Sequence, residues 1–512
     1  MNTGNLAHGP FTGLRVVDMT VAIQGPHAGA FLGDMGAEVV KVEPPGGELN
    51  RYARGPGFDF DMEVMGSQQI AMNRGKKSIA LDVHTRLGMS VLRELIKDSD
   101  VFITNYRAEA LDRMELSYAD LSQINPRLVY GRVSGFGPKG EDAGKAMLDG
   151  AAQARGGLAA VSGPADGPPM PPGATIADHS GAMQLCLGVI TALFVRERTG
   201  KGQEVNTSAL GAMMWLQSWE LTHTAMTGAD LSRDGQHNPS IASPYGVYQA
   251  SDGGSFLLAV AMSDESWDEF LVFGGKAHIA VDSRWDTAAK RIGIRGDGDG
   301  VPEVRAEMRE AFSSHTTAEW EEFFREHPEI IYERVQDYRE LLIDPQAIAN
   351  SYLVDIPVPN FGTTKVVSNV VHFSETPGAG PQLPPPCLGE HTSEIMLGLG
   401  FSEQEVGEVL APIDSAAAEV IDLVIPLDSL NRRCQSKGSE LSRNPCFFYW
   451  PAFCPVECDV SKGAFLLNIV RVKLYKFFYF EAVFSQNTNP LSMGDMEFHP
   501  WVIIPFHSMH AT

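Results

Sequence analysis

Apolar residues in the first half of the chain fall into short runs, and each run is followed by a stretch with helical rhythm. Leu14 to Met19 is a continuous apolar-rich run that reads as a buried strand. Pro26 then opens a helix-like stretch, and proline suits a first helical turn while Gly36 suits the stop. Ala37 to Glu43 reads as the next strand, which completes a strand–helix–strand unit with an expected right-handed crossover. The alternation continues with a strand over Ser78 to Val83, a helix over Arg86 to Lys97 and a strand over Val101 to Thr104. A short helix over Tyr118 to Ile124 and a strand over Leu128 to Val133 follow. Strands alternating with helices predict an open α/β sheet, whose ligands bind beyond the carboxyl ends of the strands. The segments after Met19, Glu43 and Thr104 are therefore where a site is expected.

The rhythm then changes. Residues 150–178 are rich in Gly, Ala and Pro and read as loop with one helix inside. Ser180 to Arg198 is nearly all apolar, which predicts a helix buried on every side, and Glu204 to Ser208 resumes a strand. Residues 215–345 bring tryptophan, charged helices and glycine loops, and read as a second, smaller domain of α+β character. The GDGDG run at 296–300 lacks the ligand spacing and closing glutamate of a calcium loop and reads as a solvated turn. Residues 391–412 return to helix, with Ser402 and Glu405 spaced as a capping box. The expected division is 1–214 for the first part of a large domain, 215–345 for the small one, 346–413 for the return, and 414–512 for an appended tail of different texture.

Composition narrows the function. A net charge of −24 argues against a nucleic-acid partner, so an anionic ligand would need a local basic pocket. Only two of the six cysteines precede residue 430, as in a reducing compartment, and the four in the tail form no CxxC pair, so no metal site is expected. The N-terminus has no apolar signal region and no uninterrupted apolar stretch of membrane length is evident, which makes the expected location cytoplasmic, without a membrane partner.

The ordered blocks GLRVVDMT at 13–20, LGDMGAEVVKVEPPGG at 32–47, NRGKKSIALD at 73–82 and NYRAEALDRM at 105–114 carry a resemblance. GRVSGFGPKG at 131–140, ADHSGAMQLCLGVITAL at 177–193 and LGEHTSEI at 388–395 extend it. Together they resemble the family III coenzyme A transferases, which include formyl-CoA and carnitine CoA-transferases. The resemblance implies a Rossmann-like large domain with a parallel sheet, assembled from both ends of residues 11–413 around a smaller domain. It also implies an interlocked homodimer, and coenzyme A thioesters as substrates with no permanently bound cofactor.

Taken alone, Asp178 before an apolar helix reads as an N-cap. The resemblance places it at the aspartate that attacks an acyl-CoA thioester, giving an aspartyl anhydride, then an aspartyl-CoA thioester, and finally transfer of CoA to a small carboxylic acid. Its neighbour His179 is read as a bystander. Arg51, Arg74, Lys76, Arg107 and Arg113 fall in the resembling blocks and are the candidates for the phosphates and adenine of coenzyme A, although any basic residue can be a solvated surface charge. Gln24, in the segment after the first strand, is expected beside the pantetheine arm, and Asn105 and Lys139 are further candidates. The formyl-CoA branch of the family carries a long glycine-rich loop at about 238–255, where here the only adjacent glycines are Gly253 and Gly254, which disfavours a covering glycine flap and with it formate–oxalate exchange. An α-methylacyl-CoA racemase would need a proton-carrying histidine where Leu148 stands. An isomerase that transfers CoA within one molecule would keep Asp178, and a non-catalytic dimeric scaffold would need neither Asp178 nor the basic residues.

Overall fold

The computed structural model describes residues 9–52, 65–229, 231, 233–238, 245–258, 263–291, 301–378, 380–381 and 383–412. The tail from 414, the GDGDG run and most of 238–244 lie outside the described residues.

Six parallel strands form the central sheet: β1 (Arg15–Met19), β2 (Glu38–Glu43), β3 (Lys77–Ala80), β4 (Val101–Thr104), β5 (Val129–Ser134) and β6 (Glu204–Ser208), in the order β3-β2-β1-β4-β5-β6. Val17 pairs with Val40 on one side and with Phe102 on the other. Helices cover both faces, so β4 reads as an unbroken apolar run rather than an alternation. On one face α1 (Gln24–Asp34) and α8 (Ile176–Thr199) pack Ala28, Leu32, Leu185 and Val189 onto Val16, Ile103 and Val133. The intervening helices are α2 (Ser67–Asn73), α3 (Arg86–Lys97), α4 (Ala108–Arg113), α5 (Tyr118–Ile124), α6 (Asp149–Arg155) and α7 (Leu158–Val161). On the opposite face α3, α4 and α5 bury Leu92, Leu111 and Leu121 against Val17, Val40 and Phe102.

Local chemistry sets the ends. Thr85 caps α3 by accepting from Gly88 N–H, and Ser117 with Asp120 forms a reciprocal box at α5. Gly200, in the left-handed region at φ 73°, closes α8. The chain returns to the sheet near its far end. Thr392 Oγ1 accepts from Ala80 N–H at 3.1 Å, and Met396, Val406 and Val409 join the core beside Leu92. Ser402 and Glu405 make the reciprocal bonds of the expected capping box.

A second core surrounds an antiparallel sheet of β7 (Gly246–Gln249), β8 (Ser255–Leu258) and β9 (Tyr332–Arg334), where Trp267, Phe270, Phe312, Trp320 and Phe324 stack. Gly253 and Gly254 belong to its first hairpin turn, where a methyl on Gly254 would sit 2.0 Å from Thr317 Oγ1. A separate hairpin, β10 (Leu353–Val358) with β11 (Gly362–Val367), packs Ile356, Val358 and Val366 against Ile70 of α2.

Two expectations are corrected. Thr175 occupies the N-cap position of α8, so Asp178 is not the cap but the third residue of the helix. The helix is also not buried on all sides: Met183, Leu187 and Phe194 are exposed on its outer face. Apolar composition fixes that a helix must be covered; it does not say by what. α8 is long and apolar enough to pass for a membrane span by length and composition alone, but its inner face is packed on the sheet.

Candidate active site

The chain order reverses between β1 and β4, which opens a crevice at their carboxyl ends where α/β sheets take ligands. The segment after β1 and the segment after β4 meet there: Asn105 accepts from Val21 N–H at 2.9 Å and donates to Val21 C=O at 2.7 Å. The first residue of α1, Gln24, is buried and leans across onto α8. A methyl on Gly181 would sit only 1.9 Å from Gln24 Nε2, so the absence of a side chain at 181 is what admits the amide. Gln24 Nε2 itself has no hydrogen-bond partner among the described residues, an unusual state for a buried donor.

Asp178 lies one turn before Gly181 and is 9% exposed. Its backbone N–H donates to Asp149 Oδ1 at 3.0 Å, and its carboxylate accepts no hydrogen bond among the described residues. Burial, and secondarily the Asp149 charge, push the Asp178 carboxyl up to about 6. Asp149 starts α6 and is fixed by Gln153, whose amide also donates to Ala174 C=O at 3.0 Å and so ties α6 to the approach of α8. His179 turns away from this carboxylate. Its Nδ1 lies 2.8 Å from His27 Nδ1, so one ring donates to the other. Burial, and then His179, bring His27 down to about 3; burial also lowers His179.

The basic candidates divide into two sets. Arg51, Arg74 and Lys76 are buried and engaged within the protein. Arg51 grips Glu43 through two nitrogens and donates to Pro386 C=O at 2.9 Å. Arg74 pairs with Asp34 at 2.6 Å. Lys76 Nζ reaches Asp18 at 2.6 Å, Pro26 C=O at 2.8 Å and Asn73 at 2.9 Å, and burial lowers its pKa to about 8. Gly29 makes room for this pair, since a methyl there would lie 2.5 Å from Asp18 Oδ2. Arg107, Arg113 and Lys139 are exposed, the first at the N-cap and the second in the last turn of α4. Sequence reading did not single out Asp149, His27, Glu48 or Asn50. Their partners lie far away in the chain, so no local pattern marks them.

After β6 come α9 (Ala209–Leu216) and α10 (Ser218–Thr227). Met213 is buried with Ala152, Ala177 and Ala209 beneath the start of α8, whereas Met214, Trp215 and Trp219 are exposed. Leu148, at the N-cap of α6, is 79% exposed.

A model of CoA-transferase family III matches residues 11–392. The formyl-CoA:oxalate CoA-transferase of Streptomyces coelicolor is 31% identical over 412 residues, covering 77% of this chain and 96% of that protein. The succinyl-CoA–D-citramalate CoA-transferase of Chloroflexus aurantiacus is 30% identical over 405 residues, covering 78% and 97%. The crystal structure of a CAIB/BAIF family protein from Brucella suis superposes with a TM-score of 0.67 at 28% identity, over 77% of this chain and 100% of that one. With the family model matching most of its described length and relatives of 30% identity or more covering most of the chain, the chain belongs to CoA-transferase family III and is a CoA-transferase.

Proposed function

We propose that the protein moves coenzyme A from an acyl-CoA to a small carboxylic acid, with Asp178 as the nucleophile. The observation that carries this reading is the state of the Asp178 carboxylate: nearly dry, unpaired by any cation, yet with a pKa of about 6 that leaves it mostly ionised at neutral pH. A carboxylate oxygen attacks the thioester carbonyl, the C–S bond breaks, and CoA leaves as thiolate. The thiolate attacks the Asp178 carbonyl of the anhydride and releases the donor acid as a carboxylate, leaving aspartyl-CoA. The acceptor carboxylate repeats the sequence in reverse and leaves as acyl-CoA, so one thioester is exchanged for another. The pantetheine arm runs past Gln24, whose unused Nε2 donor is available to the oxygen that gains charge when the carbonyl is attacked. A dry site also protects the anhydride from water.

In this proposal the exposed Arg107, Arg113 and Lys139 meet the phosphates. The buried Arg51, Arg74 and Lys76 shape the pocket walls through their ion pairs. No resident cofactor is required, because coenzyme A arrives as substrate. The division into 1–214 with 346–413 around 215–345, the tail from 414 and the cytoplasmic location are parts of the same reading. So is a homodimer. No residue of α10 is buried, and Trp215, Trp219 and Met226 are exposed together with the outer face of α8, an apolar surface suited to a second copy. A racemase is disfavoured by Leu148, which carries no proton.

Relatives named for succinyl-CoA, including the human succinyl-CoA:glutarate CoA-transferase at 27% identity over 403 residues, make succinyl-CoA the first donor to try. The test is a panel of small mono- and dicarboxylic acids with succinyl-CoA, followed by chromatography of the CoA esters. At least one new acyl-CoA is expected from the wild type and none from Asp178→Ala. Equal product from both proteins overturns the proposal.

A further inference from the structure

Three consecutive residues after β1 have their backbone held by side chains from elsewhere. Lys41 Nζ donates to Thr20 C=O at 2.9 Å. Asn105 takes both Val21 groups, as described above. Ala22 N–H donates to Glu48 Oε2 at 3.0 Å, and Asn50 Nδ2 donates to Ala22 C=O at 2.5 Å. Glu48 is itself fixed by the Lys41 ammonium at 3.0 Å and by Asn73 at 3.3 Å, and Glu48 and Asn50 are both buried. Asn105 and Glu48 spend both of their side-chain polar atoms on main chain or on a neighbour within the clamp.

The last of the three, Ala22, has φ 64°. Glycine adopts that left-handed conformation freely, whereas alanine populates it roughly five-fold or more less readily. Such a conformation persists where the surroundings over-determine it: here Glu48 and Asn50 hold the N–H and C=O of Ala22, and Asn105 holds the residue before it. Two residues later Gln24 begins α1, with its unpartnered Nε2 against Gly181, one turn from Asp178. The orientation of Gln24 is therefore set by a turn the chain would not choose unaided.

We infer that Asn105, Glu48 and Asn50 are positioning residues that lock Ala22 in the left-handed turn and thereby seat the Gln24 amide beside Asp178. The inference rests on the reading of Asp178 as nucleophile and adds how its surroundings are pre-set. Without the clamp, Ala22 relaxes to negative φ and Gln24 leaves its seat. Bound thioester then still reaches the crevice, but its carbonyl loses a fixed donor. A ligand-binding role for Asn105 would instead weaken binding.

The experiment uses the full chain with succinyl-CoA as the probe and follows acylation of Asp178 in a single turnover, trapped with hydroxylamine. Asn105→Ala is expected to slow acylation at saturating succinyl-CoA about ten-fold or more, while the half-saturating concentration changes less than about two-fold. Adding Ala22→Gly removes the penalty for the left-handed turn and should recover at least about three-fold of that loss. Asn50→Ala, which removes a single bond, serves the same comparison if Asn105→Ala does not fold. Acylation at the wild-type rate in the clamp variants overturns the inference alone, as does a loss expressed only in the half-saturating concentration or one that Ala22→Gly leaves untouched. A wild type that forms no trapped adduct overturns the reading of Asp178 and the inference with it.

Discussion

Replacing Asp178 by asparagine should abolish transfer and at the same time make the protein more stable above neutral pH. The carboxyl titrates at about 6 in the folded protein against an ordinary 3.8. Burial, with Asp149 adding to it, therefore disfavours the ionised form by about two pKa units, or about 3 kcal/mol. The sign follows from proton uptake. Below 3.8 the group is neutral in folded and unfolded chains and costs nothing. As pH rises from 3.8 to 6 the unfolded chain ionises first, so the folded state loses stability, and above 6 the loss is complete. Asparagine has the same shape and never ionises, so it escapes this cost. Unfolding in urea at several pH values, comparing Asp178→Asn with wild type, should show a difference of about 3 kcal/mol at pH 8 that shrinks to about 0.5 kcal/mol at pH 4. A difference that is the same at both pH values, or that favours the wild type at pH 8, would refute the account of a desolvated carboxylate.

Three further outcomes are expected. The rate of Asp178 acylation by succinyl-CoA should rise about ten-fold between pH 5 and pH 7 and level off above, following ionisation near 6; a flat profile would count against Asp178 as the attacking group. Gly181→Ala should leave stability within about 1 kcal/mol, because alanine favours the helix while only the mobile end of Gln24 must yield. Turnover should nevertheless fall, and full activity would show that the Gln24 seat is unimportant. Phe194→Glu combined with Leu187→Glu should shift the mass seen by light scattering from twice 55.6 kDa to 55.6 kDa; an unchanged mass would place the subunit contact elsewhere.

How far the sequence could be read differs by element. The strand Val101–Thr104 and the helices Arg86–Lys97 and Tyr118–Ile124 agree with the structure residue for residue. Their ends carry local chemistry in Thr85 and in the Ser117–Asp120 box, which needs no distant partner. The α8 boundary was harder. Ala177 and Asp178 read as loop because the preceding stretch is rich in glycine and proline, whereas in the structure Asp149 accepts from Asp178 N–H and Thr175 C=O accepts from His179 N–H, so the first turn is held partly by a distant side chain. The fate of the basic residues was not legible at all. Arg51, Arg74 and Lys76 meet Glu43, Asp34 and Asp18, and nothing local distinguishes a paired arginine from one waiting for phosphate. The left-handed turn at Ala22 was hidden for a related reason, since alanine there is imposed by Glu48, Asn50 and Asn105 rather than favoured by its own chemistry.

Transfer through Asp178 requires a covalent bond to form at that one carboxylate. Wild-type protein mixed with succinyl-CoA, quenched in acid within seconds and digested, should yield the peptide containing Asp178 heavier by the mass of coenzyme A less one water, with the added mass located on that residue by fragmentation. Recovery of that peptide only in unmodified form while new acyl-CoA accumulates in the same tube would contradict it.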